Sequence, residues 1–188
     1  MDDADLVRTF QRTGDASSFA ALVRRHERTV FRVVLSVLGP GQHAAAEDLT
    51  QDVFVKVYRR VGQFRGDARF SSWLYRIAYN EAVQYRSSRP FRTESLPEEV
   101  MALVPTERPQ DDPFRAATDE RRAALVEECL SRLPDLYRSV LHLHYWMGMT
   151  VAEISDAMSA PPGTIKSYLH RARARLHVLL REKGIADA

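Results

Sequence analysis

Cysteine occurs once in these 188 residues, at position 129. One thiol forms no internal disulfide, so a stapled secreted fold is excluded and a reducing, cytoplasmic setting is expected. Glycine is also scarce, with 8 residues, while alanine, leucine, arginine and glutamate are plentiful; that balance favours helices. No apolar run approaches the ~20 residues that cross a bilayer, so no membrane insertion is expected. The opening MDDADLVRTF is acidic where a secretion signal is basic. Catalytic signatures are missing too: there is no P-loop, no Gly-rich dinucleotide turn and no H-E-x-x-H. His142 and His144 stand two apart and diverge on a helix, so they do not share a metal. Cys129 reads as core. Neither catalysis nor a cofactor is expected.

Net charge is nearly absent as well, at +2, but it is unevenly spread. Residues 1–90 carry 14 Lys/Arg against 10 Asp/Glu, residues 91–117 carry 3 against 6, and residues 118–188 carry 10 against 9. Phosphate neutralisation supplies most non-specific DNA affinity, and little is available here in bulk. The stretch 89–117, which takes in the acidic middle, holds five of the nine prolines, at 90, 97, 105, 109 and 113. Proline removes an amide donor and disfavours helix before it, so this stretch reads as a flexible linker, with one helical turn at EEVMALV.

What remains has helical period throughout, and the expected fold is all-α: two small helical domains, 1–90 and 118–188, joined by the linker 91–117. In the front half Phe19, Leu22, Val23, Val30, Val33, Val34 and Val37 recur at three and four, then Gly39-Pro40-Gly41 stops the helix. A second helix carries Leu49, Val53, Val57 and Val61. Ser71 or Ser72 suits the cap of a third, with Leu74, Ile77, Ala78, Ala82 and Tyr85 inward. In the rear half one helix covers about 117–132. Pro134 suits the first position of the next, and Thr150 with Glu153 forms a capping box for a short helix after it.

The last helix, in PPGTIKSYLHRARARL, separates an inward stripe (Ile165, Leu169, Ala172, Leu176, Leu179) from a basic exterior. Lys166, His170 and Arg173 share one flank; Ser167, Arg171 and Arg175 point elsewhere outward. A basic face is often merely solvated. The capped short helix just upstream favours a helix-turn-helix, whose second helix enters the major groove with its first residues nearest the bases. Gly163 and Thr164 then bring backbone amides and a hydroxyl to phosphate. A second nucleic-acid candidate is the stretch 64–86. There Phe64, Phe70, Trp73, Tyr75, Tyr79 and Tyr85 interleave with Arg65, Arg69, Arg76 and Arg86. Aromatic faces stack unpaired bases while arginines neutralise the backbone, which suits melted DNA. Trp73, Arg76 and Asn80, spaced three and four, form an outer stripe; Leu74 and Ile77 are core.

Taken together, AEDLTQDVFVKVY, FRGDARFSSWLYRIAYN, LPDLYRSVLHLHYWMGMTVAEISDAM and PPGTIKSYLHRARARL resemble RNA polymerase sigma factors of the extracytoplasmic-function (ECF, group IV) type of the sigma-70 family. These phrases cover most of residues 17–180 apart from the linker. The resemblance implies a dissociable promoter-recognition subunit with a helical domain 2 and a helical domain 4. It implies that Asp48, Gln51, Asp52, Phe54 and Lys56 meet the β′ clamp helices of core polymerase, with the β subunit as a further partner. For the −10 element it implies Arg65, Phe70, Ser71, Trp73, Arg76, Tyr79, Asn80 and Arg86. For the −35 element it implies His144, Gly163, Thr164, Lys166, Ser167, Tyr168, His170, Arg171 and Arg173. Promoter DNA, core polymerase and an anti-sigma factor are the implied partners. By the same resemblance the acidic linker threads the polymerase's nucleic-acid channels; a solvated tether is the other reading.

The chain departs from the family pattern at three positions. Tyr168 stands where the family usually has Arg, His144 sits at a commonly basic position, and Gln84 replaces the usual Asp. One charge-assisted hydrogen bond to a base is worth ~1–3 kcal/mol of discrimination, so its absence is enough to retune preference. The rival reading is a stand-alone helix-turn-helix regulator, which requires tight duplex binding, usually as a dimer on a palindrome. No dimer helix is evident, and the low net charge argues against solitary binding.

Overall fold

The computed structural model describes residues 1–88 and 120–184. The linker expected at 91–117, with its helical turn, lies outside the described residues. Among the described residues there are helices and no strands. The front half folds as α1 (Asp3–Thr13), α2 (Ala16–Leu38), α3 (His43–Arg60) and α4 (Phe70–Ser87), with a 3₁₀ turn Val61–Gln63 after α3. The rear half folds as α5 (Glu120–Ser131), α6 (Asp135–Leu141), α7 (Val151–Met158) and α8 (Pro162–Glu182).

The front half thus has one helix more than expected. Asp2 caps α1, accepting the Asp5 amide at 2.8 Å while the Asp5 carboxylate answers the Asp2 amide. Its buried pair, Leu6 and Val7, is too short a stripe to carry a periodic signal. Gln11 ties α1 to the turn after α3, donating to the carbonyls of Val61 at 2.7 Å and Phe64 at 2.9 Å. Asp15 caps α2, and hydrogen bonds from Ser17 and Ser18 hold its carboxyl down at about 2. The cap expected at Ser71 or Ser72 is a correction. The helix begins at Phe70 behind Arg69, no side chain caps it, and both serines lie within its first turn.

The packing stripes are as expected. Leu22, Val30, Val33, Val34, Val53, Val57 and Leu74 fill the front core, while Ile77 and Tyr85 are half-buried. In the rear, Cys129, Leu130, Leu141, Ile154 and all five residues of the α8 stripe are buried. Burial pushes the Cys129 thiol up, as suits an inert core residue. After α6 the chain does not stop: His142–Trp146 makes a π-helical turn before Gly148. The two halves pack together, α4 against α7 and α2 against α6.

Candidate polymerase and nucleic-acid surfaces

On α3, Asp48, Gln51, Asp52 and Val55 fall at three- and four-residue spacing on one exposed face. Val55 is 49% exposed and Tyr58, one turn further, 51%. The Tyr58 ring is fixed edge-on against Phe10 and Phe19, at 5.3 and 5.1 Å between centroids. Two residues expected to meet the polymerase do not join this face. Phe54 is buried in the core, and Lys56 pairs with Glu81 of α4. Val55 takes their place on the exposed face, and the signal for it is the spacing itself.

On α4, Trp73, Arg76 and Asn80 do share one outer stripe. With Arg60, Gln63 and Glu81 they line an open groove of about 600 Å³. The indole is propped by Phe64 at 5.3 Å and Phe70 at 5.8 Å. Phe70 itself is buried at 4% exposure and closes the core beside His26, so it presents no face to a base here. Arg65 is exposed and Ser71 half-buried. Burial pushes the Tyr79 phenol up to about 12, with Arg86 opposing and Tyr168 adding to the effect. Arg86 is committed: it pairs with Asp135 of α6 and donates to the Val37 carbonyl at 3.2 Å.

The rear half forms the expected helix-turn-helix. Thr150 and Glu153 cap α7 reciprocally, Ser159 turns the chain at φ 51°, and Pro161-Pro162 opens α8. Gly163, Lys166 and Ser167 are exposed; Thr164, Tyr168, His170 and Arg171 are half-buried. The Thr164 amide donates to the Pro161 carbonyl at 2.9 Å, so this amide is not offered to phosphate as expected. Arg173 is also turned inward, its guanidinium donating to the Tyr145 hydroxyl at 3.3 Å. His144 holds the Met149 carbonyl through Nδ1 at 2.9 Å and stands edge-on to Tyr145. Both act as props of the motif in this state, because the π turn brings Tyr145 against α8.

Several residues that matter for the joint between halves escaped the sequence. Glu153 accepts from the Ser72 hydroxyl and from Arg69 at 3.2 Å, and Arg69 also donates to the Gly148 carbonyl at 2.8 Å. Burial raises the Glu153 carboxyl, but the hydrogen bonds from Ser72, Thr150 and Arg69 outweigh it and bring it to about 2. Arg138, at 6% exposure, donates to the Ser36 carbonyl. Nothing in the sequence marks these pairings, whose members lie 79 to 102 positions apart. His142 is buried with neither ring nitrogen hydrogen-bonded, stacked on Trp146 at 4.8 Å and 9°. It faces a cavity of about 960 Å³ between α2, α3, α5 and the π turn.

Among the described residues no cluster of His, Cys, Asp and Glu is fit to hold a metal, and no helix is long and apolar enough to cross a membrane. An aromatic–arginine groove on one bundle and a helix-turn-helix on the next define a two-part helical protein of the DNA-binding class. The Sigma-70 region 2 family matches residues 22–90, and the Sigma-70, region 4 family matches residues 123–176. The chain is 33% identical to the RNA polymerase sigma-H factor of Pseudomonas aeruginosa, over 96% of each protein. It is 30% identical to the ECF RNA polymerase sigma-E factor of Escherichia coli, over 92% of this chain and 91% of the relative. In fold it matches the sigma factor RpoE solved with the anti-sigma factor NepR from Bartonella quintana. That match has a TM-score of 0.64 at 23% identity, over 88% of this chain and 98% of the other. The chain belongs to the sigma-70 family, in its extracytoplasmic-function group, and is a promoter-specificity subunit of RNA polymerase.

Proposed function

We propose that the subunit divides its work among three surfaces on two domains, residues 1–90 and 118–188, with 91–117 as the tether. The exposed face of α3 (Asp48, Gln51, Asp52, Val55) docks on the core enzyme. The groove of Trp73, Arg76 and Asn80 receives the melted −10 strand: the indole stacks a base and Arg76 neutralises the backbone. Lys166, Ser167, Tyr168, His170 and Arg171 on α8 read the −35 duplex in the major groove. Two modest DNA contacts mounted on one large partner act at high effective concentration, so neither has to be strong alone. The protein is then a non-catalytic, cytoplasmic factor. Its remaining partner is an anti-sigma protein of the kind that NepR is for the Bartonella factor.

The observation that carries this reading is the division of α8. Its whole apolar stripe is buried while Lys166 and Ser167 remain exposed behind a capped α7. Purified protein added to core polymerase on a supercoiled template library tests it. Specific initiation that core alone lacks is the expected result. Failure to associate with core, together with strong solitary duplex binding, favours a stand-alone regulator instead.

A further inference from the structure

We propose that α1 braces the −10 groove from behind: Gln11 and the Asp3–His26 pair are positioning residues that fix Phe64 and Phe70 against Trp73. The proposal rests on the reading of that groove as the site of the melted strand.

Helix α1 lies ahead of residue 22, where the Sigma-70 region 2 match begins. Its buried pair, Leu6 and Val7, anchors it to the bundle but does not dictate where its polar side chains reach. Hydrophobic burial has no direction, whereas a hydrogen bond fixes both distance and angle. Two sets of such bonds leave α1, and each ends behind the indole.

The first starts at Gln11. Its side-chain amide donates to the Val61 carbonyl at 2.7 Å and to the Phe64 carbonyl at 2.9 Å. The 3₁₀ turn gripped in this way carries Gln63, which itself lines the groove. Phe64 then packs on Phe70 at 5.7 Å and on Trp73 at 5.3 Å.

The second starts at Asp3, whose carboxylate meets His26 Nε2 at 2.8 Å. A carboxylate only accepts, so Nε2 carries a proton; with the ring neutral, Nδ1 accepts from the Tyr75 hydroxyl at 3.1 Å. The buried imidazole is thereby held edge-on to Phe70 at 5.8 Å, and Phe70 stands 5.8 Å from Trp73. Trp73 is half-buried, so Phe64 and Phe70 decide how its free face is turned. Ordering a side chain at the moment of binding costs affinity, and an indole fixed beforehand is spared that cost when a base stacks on it.

Two readouts on the full chain test the brace. In a Trp146→Phe background Trp73 is the only tryptophan left of the two in the sequence, so acrylamide quenching reports this indole alone. Gln11→Met keeps the side chain's length and helix preference and removes its amide. His26→Phe keeps a ring against Phe70 and removes both hydrogen bonds, while His26→Gln restores a donor and an acceptor. In variants of unchanged circular dichroism, Gln11→Met and His26→Phe are expected to raise the Trp73 quenching constant about twofold, as the indole loosens. With core polymerase each is expected to slow promoter opening roughly fivefold, while initial promoter binding and core affinity stay near wild type. His26→Gln is expected to recover most of both. A purely structural contribution of α1 lowers the melting temperature and moves neither readout in the folded protein. Gln11→Met, at an exposed position, decides alone if His26→Phe does not fold. Unmoved quenching overturns the brace. So does slowed opening with no change at Trp73, or a loss that His26→Gln fails to reverse. If Trp73→Ala opens promoters as wild type does, the −10 reading fails, while quenching still judges whether α1 fixes the indole.

Discussion

Arg138 and Ser36 are 102 positions apart in the chain, and a 2.9 Å hydrogen bond from the guanidinium Nε to the main-chain oxygen joins them. The last turn of α2 is thereby closed by a side chain from the other half of the protein. This bond makes the stability of the front bundle depend on the rear.

Arg138→Ala should therefore destabilise more than its own helix. It takes a donor from the Leu133 carbonyl, leaves the Ser36 carbonyl with the Ser139 hydroxyl, and removes one partner of Asp135. Asp135 keeps Arg86 and remains a third exposed, so the expected loss is ~2 kcal/mol rather than the ~3–5 of a fully buried pair. Arg138→Lys should recover less than half, because an ammonium lacks the planar fork. Chemical denaturation of the three proteins measures this, and equal stabilities would remove Arg138 from the joint.

His142 gives the fold a pH dependence. Burial, then Arg32 and Arg138, bring its imidazole down from the ordinary 6.5 to about 4. Glu27, Arg28, Arg32, His43, Glu47, Glu127, Arg138 and Tyr145 are the other charged or titratable groups lining the cavities it faces. A base whose folded pKa is depressed binds fewer protons folded than unfolded between these values. Its contribution is thus complete above pH 6.5 and lost as pH falls toward 4. His142→Phe keeps the stack on Trp146 and buries no unpartnered nitrogen, so it should flatten the melting temperature across this window and gain ~1 kcal/mol. An unchanged slope in the variant would assign the dependence to other groups.

Val55→Asp should abolish association with core and leave the fold alone. The side chain is half-exposed on α3 and contributes nothing to the buried core. A drop of at least tenfold in affinity, ~1.4 kcal/mol, is expected with a melting temperature near wild type. Gel filtration with core polymerase reads the first and circular dichroism the second.

Lys166→Ala and Arg171→Ala should each weaken −35-dependent initiation while core association stays intact. Removing a hydrogen bond to a base at either position costs ~1–3 kcal/mol and relaxes preference there. If Lys166 instead meets phosphate, the weakening is uniform across sequences and the salt slope falls by about one. Unchanged transcription would strike both from the α8 surface. The same substitution at Arg173, which is held by Tyr145, should mix reduced stability with reduced binding.

Local spacing along the chain was enough to fix whatever repeats within a few turns. Helical period in α2, α3, α4 and α8, the Thr150–Glu153 cap and the buried stripe of α8 all follow from residues near one another in sequence. The exposed face of α3 and the Trp73–Arg76–Asn80 groove were legible for the same reason, since three- and four-residue spacing decides which side chains share a face. Short-range order says less about a stripe of two residues, so α1 went unread. Packing, by contrast, was needed to make Phe70 core, to set Arg173 and His144 as braces of the helix-turn-helix, and to give Lys56 to Glu81. Packing also joined Ser72 to Glu153 and Arg138 to Ser36, because no pattern along a chain encodes which carbonyl a distant guanidinium will reach. That choice is made by how two bundles fit.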